Sequence, residues 1–130
     1  MVDHPDQQGN RIKKDLPVLG IPVRIGTMAE IVKELAEVLA SEGRRRVVTL
    51  NPEMVMRSRR NPELRQSLHA AGLIVPDGFG VVFAMRRAGF KDQARIAGVD
   101  LVEELLKVEW GRELRLFLLG GKPGVADEAA

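Results

Sequence analysis

A carboxylate set among glycines, in Pro76-Asp77-Gly78-Phe79-Gly80, is the residue whose type and setting are best suited to chemistry. At the end of an apolar run, Asp77 could act as a general base toward a hydroxyl, with Gly78 letting a ligand approach the backbone. The same spacing suits a plain N-cap for a helix starting at Phe79, and both readings stand at this point. Arg95, in Ala94-Arg95-Ile96-Ala97-Gly98-Val99-Asp100, could hold phosphate oxygens in the fork of its guanidinium. Its plain reading is a loop arginine followed by Asp100 as a helix cap. Thr49 and Asn51 could hydrogen-bond a sugar or a phosphate, or serve as a strand residue and a cap. Gly120 and Gly121, in Gly120-Gly121-Lys122-Pro123-Gly124, could turn N–H groups toward a diphosphate at a helix start. The turn matches neither the triphosphate fingerprint, because Pro follows Lys122, nor the dinucleotide one, because its glycines are not spaced Gly-x-Gly-x-x-Gly.

These residues need elements to hold them, and the sequence predicts an α/β domain. Residues 16 to 25 are apolar enough for a strand, but Pro17 and Pro22 restrict them to an edge or to a pair of short strands. Thr27 and Glu30 have the spacing of a capping box, followed by a helix with Met28, Ile31, Val32, Leu35, Val38 and Leu39 on its core face. Residues 46 to 50 read as a buried strand running into Asn51-Pro52-Glu53. That tripeptide recurs as Asn61-Pro62-Glu63, and both copies should start helices, with Asn as cap and Pro at the first turn. A strand at 73–75, a helix from about 81, a loop at 91–98 and a helix from Asp100 follow. Residues 114–119, Leu-Arg-Leu-Phe-Leu-Leu, read as a further strand, and a last helix begins at about Val125. This alternation predicts a largely parallel sheet with flanking helices, in which ligands bind at the carboxyl ends of the strands. The chain stops inside an apparent helix, so the expected domain is truncated at its C-terminus.

The 130 residues suit one domain, with 45% hydrophobic and 29% charged content and a net charge of +2. Residues 1–15 read as a flexible polar leader and 16–130 as the domain. Neither a spanning helix nor a secretory signal is read, so the expected location is the cytoplasm. Cysteine is absent, and His4 and His69 are too few and too far apart to suggest zinc. The chain contains no Asp-x-Asp, which directs the reading toward a metal-free mechanism. Arginines cluster at 44–46, 57–60 and 86–87, but four Phe, one Trp and no Tyr give little support for nucleic-acid binding.

Taken in order, Val48-Thr49-Leu50-Asn51-Pro52-Glu53, Val75-Pro76-Asp77-Gly78-Phe79-Gly80, Arg95-Ile96-Ala97-Gly98-Val99-Asp100 and Phe117-Leu118-Leu119-Gly120-Gly121 resemble the WecG/TagA/CpsF family. The resemblance covers about residues 16 to 130 and implies a Rossmann-like domain, here its N-terminal portion. It implies an inverting, metal-independent glycosyltransferase that uses a UDP-sugar and no cofactor. N-acetylmannosamine or a related sugar would pass to a lipid-linked acceptor, N-acetylglucosaminyl-diphospho-undecaprenol, in envelope polysaccharide or teichoic acid synthesis. The resemblance makes Asp77 the general base, Thr49, Asn51 and Gly78 parts of the substrate pocket, and Arg95 a cation for the acceptor or leaving diphosphate. Gly120 and Gly121 fall to the nucleotide, and a peripheral contact with the cytoplasmic face of the membrane is implied for the full-length protein. A departure is the family's Gly-x-Gly-x-Pro-Lys-Gln-Glu segment, which is missing here and leaves a sugar-nucleotide or phosphate-binding module without turnover as the alternative. A sheet ending at this point exposes an apolar edge, which favours a homo-oligomer.

Overall fold

The computed structural model describes residues 14–130. The expected leader lies outside the described residues except for Lys14 and Asp15, and Asp15 already belongs to a strand. Residues 16 to 25 resolve into the pair of short strands that their prolines allow. β1 (Asp15–Val18) and β2 (Ile21–Arg24) run antiparallel, with Val18 opposite Ile21. Leu19 and Gly20 form the turn with positive φ at both positions, 47° and 82°, the twist that suits a two-residue hairpin. Pro17 and Pro22 face each other one step back from that closing pair, where backbone N–H groups point out of the ladder. The missing donors therefore cost no inter-strand bond.

The capping box forms as its spacing requires: Glu30 N–H donates to Thr27 Oγ1 at 3.3 Å, and Thr27 N–H donates to Glu30 Oε2 at 2.8 Å. It starts α1 (Met28–Ala40), whose Ile31 and Leu35 are buried. The buried Arg24 ties the hairpin to this helix, donating from Nε to Asp15 Oδ1 at 2.7 Å and from its terminal nitrogen to Glu34. β3 (Val47–Leu50) leads into α2 (Pro52–Ser58) and α3 (Pro62–His69), and the chain returns as β4 (Leu73–Pro76). β3 and β4 pair in parallel, with Thr49 opposite Val75. Arg45 and Arg46 donate to the carbonyls of Gly72 and Ser67, so two arginines of the basic cluster serve the fold. Then follow α4 (Phe79–Arg87), α5 (Gly98–Leu106) and α6 (Val125–Ala129).

β4 is buried along its whole length, because its alternating side chains enter two different apolar clusters. Ile74 points into one with Leu50, Val55, Leu68, Val81 and Met85, together with the hairpin. Leu73 and Val75 point into the other with Ile31, Leu35, Ile96 and Leu101. The parallel pair is thus the middle layer, with α2, α3, α4 and the hairpin on one face and α1 and α5 on the other. Burying a side chain such as Leu50 completely contributes about 1.5 to 3 kcal/mol.

The observed class is mixed α/β, but one largely parallel sheet does not form among the described residues. The four strands make two separate two-stranded sheets, one antiparallel and one parallel. The expected strand at 114–119 is absent: no ladder joins it to β3 or β4, and Phe117 and Leu119 are 86% and 91% exposed. An apolar run of that kind becomes a strand only when a neighbour supplies its hydrogen bonds and layers cover both faces. The expected cap at Asp100 is also corrected. The cap lies three residues earlier, at Ala97, so that α5 starts at Gly98 with Asp100 inside the first turn.

Candidate functional site

Three chain segments meet where β3 and β4 end. Asn51 leaves β3 and caps α2, its Oδ1 accepting from Met54 N–H at 2.8 Å. Asn61 makes the equivalent bond to Leu64 N–H at 2.9 Å, so the two tripeptides are alike as caps and differ in what surrounds them. Beside Asn51, Asp77 extends the ladder beyond Pro76 by donating its N–H to the Leu50 carbonyl at 2.9 Å. Gly78 follows with φ of 102°, and a Cβ there would lie 3.1 Å from Pro52 Cδ and 3.8 Å from Asn51 Cβ. The turn after β4 is therefore pressed against the start of α2, and only glycine fits without strain. The third segment carries Arg95. It is joined to β4 by Ile96 N–H, which donates to the Pro76 carbonyl at 2.8 Å. At its end Gly98 sits against β3, where an added Cβ would be 3.1 Å from Thr49 Cγ2.

The side chains complete what the backbone sets up. Arg95 Nε donates to Asp77 Oδ1 at 2.8 Å, linking residues eighteen apart in sequence. The arginine side chain is 61% exposed and the carboxylate 23%, so the pair lies at the surface with the acid on the inner side. Hydrogen bonding to Asp77, reinforced by the charge, raises the Arg95 pKa above its ordinary value and keeps the guanidinium cationic. Among the described residues, the terminal nitrogens of Arg95 and Asp77 Oδ2 have no side-chain partner. An exposed guanidinium and a second carboxylate oxygen thus remain outside the pair's own hydrogen bond. The plain reading of Asp77 as a helix cap does not hold, because Gly78 occupies the cap position of α4 and no side chain caps that helix.

Thr49, Asn51, Asp77, Gly78 and Arg95 are accordingly gathered at one strand edge. Gly120 and Gly121 are not: a Cβ on Gly120 would meet nothing within 4 Å, and one on Gly121 would meet only Val125. Gln93 is a residue that the spacing of motifs did not single out. It is buried beside Arg95 and hydrogen-bonded to Gly26, and a polar residue in a loop carries no periodic signal of such a role. Among the described residues, no group of three or more His, Asp or Glu side chains is arranged to hold a metal ion. No helix among them is long and apolar enough to cross a membrane.

A model of the glycosyl transferase WecG/TagA/CpsF family matches residues 16–130. Among individual proteins, the chain is similar to the N-acetylglucosaminyldiphosphoundecaprenol N-acetyl-beta-D-mannosaminyltransferases of Staphylococcus aureus strains NCTC 8325 / PS 47, COL and MSSA476. Each is 30% identical over 126 residues, covering 95% of this chain and 49% of the relative. The chain thus spans about half the length of these relatives.

Proposed function

The chain belongs to the WecG/TagA/CpsF family of glycosyl transferases, and from that premise we propose that the edge of β3 and β4 is the acceptor side of a UDP-sugar glycosyltransferase site. The observation that carries this reading is the Asp77–Arg95 pair at 2.8 Å beside Thr49, Asn51 and Gly78. Inversion requires a hydroxyl of the acceptor to attack the anomeric carbon from the face opposite UDP. As the new C–O bond forms, the hydroxyl proton passes to Asp77 Oδ2 and the bond to the diphosphate breaks. Negative charge grows on the departing UDP. The terminal nitrogens of Arg95 supply a fixed cation near the reacting centre, so the reading needs no metal. Thr49 and Asn51 offer hydroxyl and amide groups to the sugar or the acceptor.

From the names of the Staphylococcus aureus relatives we take N-acetylmannosamine as the donor sugar and an N-acetylglucosaminyl-diphospho-undecaprenol lipid as the acceptor. That chemistry belongs to envelope polysaccharide or teichoic acid synthesis, and the proposal includes a peripheral position at the cytoplasmic face of the membrane. The same reading takes β3 and β4 as strands of a Rossmann-like sheet whose carboxyl edge holds the substrates. The test is UDP release from UDP-N-acetylmannosamine by the full chain, with and without a short-chain lipid-linked N-acetylglucosamine. Release that depends on the acceptor and survives EDTA supports the proposal; activity lost in EDTA and restored by magnesium removes its metal-free step. A second reading, binding of a sugar nucleotide without turnover, is favoured by the separation of Gly120 and Gly121 from the site. Saturable UDP binding with no release from the donor would decide for it.

A further inference from the structure

Arg95 is exposed and stands on a loop, yet its guanidinium is held on Asp77, so something else must hold the loop. The residue two positions earlier does so. Gln93 is 5% exposed, and its amide spans 67 positions of sequence to the turn between β2 and α1. Its Oε1 accepts from Gly26 N–H at 3.1 Å, and its Nε2 donates to the Gly26 carbonyl at 3.0 Å and to the Ala94 carbonyl at 2.9 Å. From the other side, Arg86 Nε on α4 donates to the Gln93 carbonyl at 2.9 Å. With Ile96 bonded to Pro76, the backbone is fixed on both sides of Arg95.

We infer that Gln93 is the positioning residue for Arg95: its amide clamps the loop to Gly26 so that the guanidinium is delivered to Asp77. The inference rests on the reading of the Asp77–Arg95 pair as the functional centre. Its physical basis is the amide itself, which both gives and accepts and so satisfies both backbone groups of one glycine. An apolar side chain in its place leaves the Gly26 N–H and carbonyl without that partner in a part-buried position, which favours opening of the loop. Gly26 also immediately precedes Thr27, the cap of α1, so the clamp ties the position of the site arginine to a helix start in the layer beneath.

The experiment reads Arg95 itself, by its side-chain Nε–Hε signal in nitrogen-edited spectra of the full chain. Gln93→Met keeps the length of the side chain and removes donor and acceptor. Exchange of the Arg95 Hε with water is expected to become about tenfold faster, the factor that follows from roughly one net hydrogen bond, and its ion-paired shift to be lost. Leu68→Ala, a change in the core, should lower the melting temperature and leave that signal in place, so lost stability alone does not imitate lost positioning. An Arg95 signal in Gln93→Met that matches wild type in shift and exchange overturns the inference. Should Gln93→Met fail to fold, Gln93→Glu keeps an acceptor for the Gly26 N–H but replaces the donors to two carbonyls with a carboxylate oxygen, and an unaltered Arg95 signal there overturns it equally. Absence of UDP release by the wild type would defeat the proposed function, while this signal would still decide the clamp.

Discussion

In Leu73-Ile74-Val75-Pro76-Asp77-Gly78 and in Leu116-Phe117-Leu118-Leu119-Gly120-Gly121, an apolar run leads to a glycine turn at a place where a ligand could bind. The first run is a strand buried on both faces, and its turn is held by hydrogen bonds to Leu50 and Ile96 and by the contact of Gly78 with Pro52. The second run has no ladder, its side chains face outward, and Gly120 is near nothing. Hydrophobicity is therefore not what separates them. The turn after β4 is fixed because the strand before it has a ladder partner in β3 and layers on both faces, which holds the backbone firmly enough to aim a side chain.

Substitutions can break this contrast, and the largest effect on stability should come from the strand beside Asp77. Leu50→Ala is expected to lower unfolding free energy by about 2 to 5 kcal/mol, whereas Leu119→Ala should change it by less than about 0.5 kcal/mol. Urea denaturation of both variants measures the difference, and equal losses would contradict it. Gly78→Ala forces a side chain into φ of 102° against Pro52 and should cost about 1 to 3 kcal/mol. Thermal unfolding is the check, and a wild-type midpoint would show that the turn is not strained. Asn51→Ala and Asn61→Ala should each lose about 1 kcal/mol through the missing cap. Turnover separates them: only Asn51→Ala should also slow UDP release, since only that cap stands beside Asp77 and Arg95.

The smallest expected effect is on pH dependence, at the start of α1. The hydrogen bond from Thr27 N–H, followed by that from the Thr27 side chain, holds the Glu30 carboxyl below the usual glutamate range. A carboxyl lowered on folding adds stability that is complete above its unfolded pKa and fades as pH falls through the lowered value. Glu30→Gln should therefore lose most against wild type near neutrality and converge with it in acid. Midpoints of denaturation across that range decide it, and a constant gap would contradict the assignment.

What was legible in the sequence was mostly local. The caps at Thr27, Asn51 and Asn61 require bonds over three residues, and the hairpin of β1 and β2 follows from two prolines around a short turn. The core faces of α1 were legible at Ile31 and Leu35, because helical spacing encodes them directly. The strand at 114–119 was misread since its residues satisfy the pattern while pairing depends on elements that the pattern does not contain. Asp77 could be read as cap or base from spacing alone, and the choice against the cap came from Gly78 occupying the cap position and Arg95 reaching across from another segment. Gln93 was not legible at all, because its partner Gly26 is distant in sequence and a glycine's backbone groups leave no mark in residue type.

The central claim is that the carboxylate held by Arg95 at the edge of β3 and β4 takes the acceptor's proton. Acceptor-dependent UDP release by Asp77→Asn, compared with wild type at saturating donor and with matched circular dichroism and melting, tests it most directly. The account predicts a rate lower by about 100- to 10,000-fold. Wild-type turnover by folded Asp77→Asn would contradict it.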